Sequence, residues 1–382
     1  MSTQKSGVNR RLALQRAAIA ASALAMPLRA QNRKQPQSLG RIVVAQPVDF
    51  SQAQQDVSKD FLIGSQAAWQ DINARGGLKG RPVQHVTLET DGTAASLLAA
   101  VDTIKNNPAC VVLSGTAGDR LANQLLTTLR SENLLIAHAA PWLQNSSAQI
   151  DGQTFPIFAA RQEQIAHALK TLSVMGLKEL GAVYASAAEK IASQGELERI
   201  AASMQLKLVS FEGVEELRLL GQKMNAATPA VLLFLGGTPE LADFTQGLEK
   251  QMRQRYIVAL ADVNLQTLME MGAARNTAVI ATQPVPLVNT SLPIVRNYRA
   301  TLARLFDEPP APLSLAGFIA ARYTYEVLDD IEGPPTRQNV LAAFQRRASH
   351  DLGGFRVHFD NQGRAGHYVT QSMMTTAGKL VG

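Results

Sequence analysis

Residues 64–81, Gly64-Ser65-Gln66-Ala67-Ala68-Trp69-Gln70-Asp71-Ile72-Asn73-Ala74-Arg75-Gly76-Gly77-Leu78-Lys79-Gly80-Arg81, carry an apolar helix face into a glycine turn. Phe61, Ala68, Trp69 and Ile72 share one face of a helix read over 57–75, which places Trp69 in a core. Gly76, Gly77 and Gly80 then supply the left-handed geometry that ends it. A strand at 42–45 precedes this unit, and 83–88 alternates as a strand after it. Further on, helices at 94–105 and 120–130 separate apolar strands at 109–113 and 134–137. Near-continuous apolar strands between helices are the pattern of a parallel sheet covered on both faces.

The rhythm restarts after Thr154-Phe155-Pro156-Ile157-Phe158. Strands are expected at 179–184, 206–211, 230–235, 256–260 and 277–281, with helices at 164–175, 187–204, 215–226, 239–251 and 265–271. Two such runs imply two sheets rather than one oversized one. Helices at 294–306, 316–331 and 337–347 follow without strands, so they are expected to return to the first lobe. Residues 353–369 read as a β-hairpin with Phe355, Val357 and Phe359 on one face and a turn at Asp360-Asn361-Gln362-Gly363. The expected division is 41–155 plus 283–350 for lobe 1, 156–282 plus 351–375 for lobe 2, and a tail at 376–382. The crossovers between them form a hinge around an interlobe cleft.

The chain has 382 residues, 46% hydrophobic and 18% charged, which is enough for about two domains with substantial cores. Its single cysteine, Cys110, excludes an internal disulfide and a cysteine-rich zinc site, and its apolar neighbours make it a buried structural thiol. The net charge of +6 is concentrated at the start: residues 1–30 hold five of the 37 bases and none of the 31 acids. The remainder is within one charge of neutral and has no basic stripe, so nucleic acid is not an expected partner.

Residues 1–30 read as an export signal, with a basic region, an alanine-rich run over 17–28 and cleavage after Ala30 or Ala25. Asn9-Arg10-Arg11-Leu12-Ala13-Leu14 resembles a twin-arginine signal. The apolar run is too short for the roughly 20 residues a membrane span needs, so no permanent insertion is expected. Residues 31–40 read as a flexible leader, and the mature chain is expected in the periplasm.

The stretch 64–81 resembles the first helix and turn of the periplasmic branched-chain amino-acid (Leu/Ile/Val)-binding proteins, which show G-x-x-A-x-x-x-I-N-x-x-G-G-x-x-G there. Asp91, Val111-Val112-Leu113-Ser114-Gly115 and the closing Gly354…Phe359-Asp360…Gly363 follow in the family's order, so the resemblance covers about residues 41–375. It implies an α/β type I periplasmic-binding-protein fold, with two Rossmann-like lobes, parallel central sheets and a multi-crossover hinge. The implied function is capture of a small solute by closure and its delivery to the permease components of an ABC-type importer. The alternative is a ligand-sensing regulatory or receptor subunit on the same fold.

On this resemblance the ligand loop after the third strand is Gly115-Thr116-Ala117-Gly118-Asp119, with an acid where serine is usual. Asp119 repels a carboxylate there unless it turns away or caps the helix. The loop after the fourth strand is His138-Ala139-Ala140-Pro141-Trp142; Pro141 lacks the usual hydroxyl, and Trp142 presents an aromatic wall or packs between the lobes. In the second lobe the correspondences fall on Tyr184, Glu189, Gly237, Thr238 and Asp262, the last near the family's ammonium-binding acid or acting as a helix N-cap. These departures leave an aromatic or modified acid, an amide or another small metabolite open as ligand.

No G-x-G-x-x-G opens a helix after the first strand, and no G-x-x-x-x-G-K-[ST], G-x-S-x-G or H-E-x-x-H is present. The six histidines are dispersed, and the ten methionines form no run, so no metal or cofactor is expected. His138 alone is placed at the cleft; Arg346-Arg347 and the stretch 250–255 read as solvated helix faces. The expected protein is not an enzyme.

Overall fold

The structure, a computed structural model, describes residues 41–382 except 175, 213–215, 250, 252, 275–276, 362, 367 and 378. The signal, cleavage positions and leader expected over 1–40 lie outside the described residues, as does His367. The first sheet is parallel, in the order β2-β1-β3-β4-β5, from β1 (Ile42–Asp49), β2 (Val83–Thr90), β3 (Cys110–Ser114), β4 (Ala137–Ala139) and β5 (Thr154–Phe155). Helices α1 (Gln55–Ala74), α2 (Ala94–Lys105) and α3 (Asp119–Ser131) link its first four strands. Because side chains alternate along a strand, Ile42, Val44 and Val48 enter one core with Phe61 and Trp69 of α1. Val43 and Ala45 enter another with Leu97, Val101, Leu121 and Leu125 of α2 and α3.

The second unit runs α4 (Arg161–Val174), β6 (Glu179–Tyr184), α5 (Ala187–Ser203), β7 (Lys207–Glu212), α6 (Leu217–Lys223), β8 (Val231–Leu235), α7 (Thr238–Leu248), β9 (Tyr256–Ala259), α8 (Leu265–Glu270) and β10 (Ala278–Gln283). Its strands pair in parallel in the order β10-β9-β8-β6-β7. The same alternation divides its side chains between two cores. Val183, Phe234 and Ile257 face α7 and α8, while Leu180, Leu233 and Val258 face α4 and α5.

Three helices follow, α9 (Pro293–Leu305), α10 (Pro312–Asp329) and α11 (Arg337–Gln345), each of the first two opened by a proline that has no amide hydrogen to leave unsatisfied. They carry Tyr298, Phe318 and Phe344 into the first core. The end of the chain differs from the expected hairpin over 353–369. A short antiparallel pair, β11 (His350–Asp351) and β12 (Arg356–Val357), stands apart, and β13 (Thr370–Met374) joins the second sheet antiparallel to β10. β14 (Leu380–Val381) pairs outside β13. Leu352, Phe355, Val357, Phe359 and Ala365 lie in the first core, so 351–365 packs with lobe 1 rather than where lobe 2 was expected to resume. The apolar period of 355, 357 and 359 was sufficient to mark an inward face but not to say which sheet it covers.

The tightest helix contact joins α1 to α10. A Cβ on Gly64 would lie 1.7 Å from the Ser314 carbonyl oxygen, and one on Gly317 would lie 1.8 Å from the Phe61 carbonyl oxygen. Both glycines are therefore required for the approach, in which the Ser65 hydroxyl also donates to the Gly317 carbonyl at 3.1 Å. Gly64→Ala and Gly317→Ala are each expected to cost about 1–3 kcal/mol through overpacking, read as a lowered midpoint in urea unfolding. Wild-type midpoints in both would show that the helices separate freely.

Candidate functional site

The expected site residues sit at the carboxyl ends of the parallel strands, in the loops that follow and in the first turns of the next helices, where α/β sheets place ligand sites. In the first lobe the loop after β3 is buried and three of its amides are engaged. The Gly115 amide donates to the Ala139 carbonyl at 2.9 Å, the Ala117 amide to the Pro47 carbonyl at 3.0 Å, and the Asp119 amide to Gln54 Oε1 at 3.3 Å. Gly115 is needed here, because its φ is +66° and a Cβ would lie 3.0 Å from the Phe61 ring. Thr116 Oγ1 is 2.8 Å from His138 Nε2, and burial lowers the His138 pKa to about 4. His138 is thus a neutral group inside lobe 1.

Asp119 turns away from the cleft. Its Oδ1 accepts from the amides of Gln144 at 2.7 Å and Asn145 at 3.1 Å and from Asn123 Nδ2 at 2.9 Å, tying α3 to the loop after β4. Burial and the Asp262 charge raise its pKa. On that second loop Ala140 takes a left-handed φ of +47°, a conformation rare outside glycine. The chain then passes through Pro141 to Trp142, whose side chain is 1% exposed and packs against Phe61 and Phe158 with ring centroids 5.8 and 5.6 Å away.

Trp142 meets the second lobe. Its Nε1 donates to Asp262 Oδ1 at 3.2 Å, and Asp262 Oδ2 is 3.5 Å from Arg161 Nη2. Arg161 Nη1 is 3.2 Å from Glu189 Oε2, completing a chain of alternating charges. Burial opposes the Arg161 charge, and Glu189, Asp262 and Asp119 more than offset it. Asp262 does not cap a helix; Asn264 caps α8, its Oδ1 accepting from the amides of Gln266 and Thr267 at 3.0 and 3.2 Å. Gly237 is the N-cap position of α7, and Thr238 begins that helix. Tyr184 lies apart from this group, packed in the second core among Leu180, Leu197 and Leu233.

Of the residues that clasp the lobes, sequence reasoning named Thr238 and missed Asp56, Asp60 and Asn264 as its companions. Thr238 Oγ1 donates to Asp56 Oδ2 at 2.6 Å, and Asn264 Nδ2 donates to Asp60 Oδ2 at 2.8 Å. Asp56 and Asp60 stand one turn apart on α1, so both acids face the starts of α7 and α8. Burial raises the pKa of Asp56, eased by the Thr238 bond, and raises that of Asp60 to about 6. Arg161 carried no spacing signal. The stretch 250–255 is corrected as well: α7 ends at Leu248, and Arg255 is 2% exposed, donating to the Asn225 carbonyl at 2.8 Å.

A cavity of about 330 Å³ opens beside Trp142, between the loop after β9, the β10–α9 crossover and the start of α10. A second, of about 320 Å³, lies along Asp56, Asp60, Thr238 and Glu270. A family model described as periplasmic binding protein matches residues 41–379. The chain belongs to the periplasmic binding protein family. This is a family of binding proteins rather than enzymes, and its α/β fold is of the type I class. No curated protein matches this periplasmic binding protein in sequence. Among solved structures, an extracellular ligand-binding receptor from Verminephrobacter eiseniae is 16% identical with a TM-score of 0.80, covering 90% of this chain and 100% of its own. A substrate-binding periplasmic protein from Ralstonia solanacearum is 19% identical with a TM-score of 0.78, covering 89% and 99%. The branched-chain amino acid transporter substrate-binding protein of Streptococcus pneumoniae, in complex with isoleucine, is 13% identical with a TM-score of 0.75, covering 90% and 98%. At these identities the likeness is one of fold.

The Asp60 shift gives the protein a pH signature. A carboxyl whose folded pKa is raised binds protons more tightly when folded, so its contribution favours folding below the unfolded value near 4 and is lost as pH rises through about 6. Asp60→Asn is expected to flatten the fall in Tm between pH 4 and 6; an unchanged slope would show that Asp60 does not titrate in that window.

Proposed function

We propose that this periplasmic binding protein is the extracytoplasmic solute-binding component of an ABC-type importer. It captures a small amino-acid-like, organic-acid or amide metabolite between its lobes by Venus-flytrap closure. The reading rests on one observation above others: the bonds from Thr238 to Asp56, from Asn264 to Asp60 and from Trp142 to Asp262 each join side chains carried by different sheets. Such bonds form only when the lobes are together, so a solute that touches both shifts an open–closed equilibrium toward this state. The isoleucine-bound transporter component of Streptococcus pneumoniae has the same fold, which favours delivery to permease subunits.

The lobes, on this proposal, comprise 41–155 with 283–365 and 156–282 with the closing strands, and the final crossing lies between Ala365 and β13. Export by the signal at 1–30, of twin-arginine type, delivers the chain to the periplasm. Among the described residues no helix is long and apolar enough to cross a membrane.

A thermal-shift screen of the purified protein against amino acids, organic acids and amides tests the reading. A ligand at about 100 times its Kd should stabilise the fold by about 2.7 kcal/mol. A saturable shift with the ligand recovered unchanged is expected; a product, or no response across the panel, overturns it. Thr238→Val removes a charge-assisted bond worth about 1.5–3 kcal/mol in the closed form. It should weaken ligand binding about tenfold or more and expand the molecule in small-angle scattering. Parental affinity and dimensions would remove the clasp from the mechanism.

A further inference from the structure

The cavity beside Trp142 contrasts with its surroundings. Trp142, Val263, Leu265, Val285, Leu287 and Leu313 supply apolar wall, and no lining residue carries an ionisable side chain, the charge in the lining being the terminal carboxylate of Gly382. Its polar groups are the amides of Asn264, Gln266, Gln283 and Asn289 and the hydroxyl of Ser372. Three of the four amide groups donate to the protein. Asn264 Nδ2 donates to Asp60 at 2.8 Å, Gln266 Nε2 to Glu270 at 2.9 Å, and Asn289 Nδ2 to the Gly382 carbonyl oxygen at 2.6 Å. Gln283 differs. It is 7% exposed, its Oε1 accepts from the Ser372 hydroxyl at 3.3 Å, and no described residue accepts from its Nε2. A donor that faces the cavity without a protein acceptor can exchange water for a ligand oxygen.

The charged groups near the cavity are already satisfied within the protein. Asp262 is shared between the Trp142 indole and Arg161, Glu189 pairs with Arg161, and Asp119 accepts from two backbone amides. The amides of Gly115, Ala117 and Asp119 are spent on protein acceptors. A solute carboxylate therefore finds none of these loop amides and faces the terminal carboxylate of Gly382, and entering the apolar cavity would strip its charge of water.

We infer that the solute captured by this protein is an uncharged, largely apolar molecule bearing a carbonyl or carboxamide, held in the cavity between Trp142 and Gln283 with its oxygen accepting from Gln283 Nε2. A carboxamide suits the site twice, since its nitrogen donates as its oxygen accepts, in whichever orientation the Gln283 amide is set. The volume of about 330 Å³ lies within the range of small-molecule sites. The inference rests on the solute-binding reading and narrows its ligand class.

Isothermal titration of the full mature protein with two matched series tests it: isovaleramide, isovalerate and leucine, then phenylacetamide, phenylacetate and phenylalanine. In at least one series the amide is expected to bind at least tenfold more tightly than the acid and the amino acid. Gln283→Leu should weaken that amide at least tenfold while circular dichroism and Tm remain near parental. Gln283→Glu, which replaces the donor by an acid, should weaken it as well. Tighter binding of an acid or amino acid would overturn the inference and leave the solute-binding reading intact. Amide binding that survives both Gln283 variants would overturn the assigned contact. No binding by any of the six would overturn the inference, and only a silent wider panel would take the solute-binding reading with it.

Discussion

Backbone contact between α1 and α10 at Gly64 and Gly317 is the constraint on which the interlobe geometry depends. It fixes the axis of α1 against a helix that follows the second unit in the chain and packs in the first core. α1 in turn carries Phe61 to the Trp142 ring and, one turn apart, Asp56 and Asp60 to the second lobe. Displacing α1 by the width of a methyl group would move three contacts at once. The two glycines thus act on the clasp without touching it.

The clasp has a particular electrostatic character. The acids on α1 face the starts of two helices, α7 and α8, where backbone amides point outward and negative charge is favoured. The donors they use, however, are the side chains of Thr238 and Asn264. Such neutral donors stabilise the charged acids only in part, which is why burial still raises both carboxyl pKa values. Around Trp142 the balance is different: Arg161 stands between Glu189 and Asp262, and the indole completes the coordination of Asp262. One junction sets a cation among its acids, while the acids of the other are bonded by neutral donors.

Much of the fold was legible because strand alternation and helix period are local properties. Val43 and Val44 point to opposite cores as their period requires, and Trp69 is buried with its helix face. Three features were not local. Asp56 looks like an ordinary first-turn acid and Asp60 like a helix-surface acid one turn on, and only the second lobe makes them partners. Tyr184 ends a strand near the cleft, yet the two-residue period sends its ring into the core. Asp262 and Asn264 are both plausible caps by type; two residues of loop geometry assign the cap to Asn264 and free Asp262 for Trp142. The resemblance named segments that do follow β3 and β4, but it could not show that their donors and acids had found partners inside the chain.

The antiparallel strand β13 has a consequence for how the molecule is made. β10 leaves the ribosome well before β13, and until β13 arrives the second sheet presents a row of unpaired backbone groups along β10. The helices that complete the first core emerge within the same interval. Neither half can finish as an autonomous unit during synthesis, so the nascent chain carries an open sheet edge and an uncovered apolar face together. That makes the interval before the last strand the period in which this protein most needs shielding from its own copies.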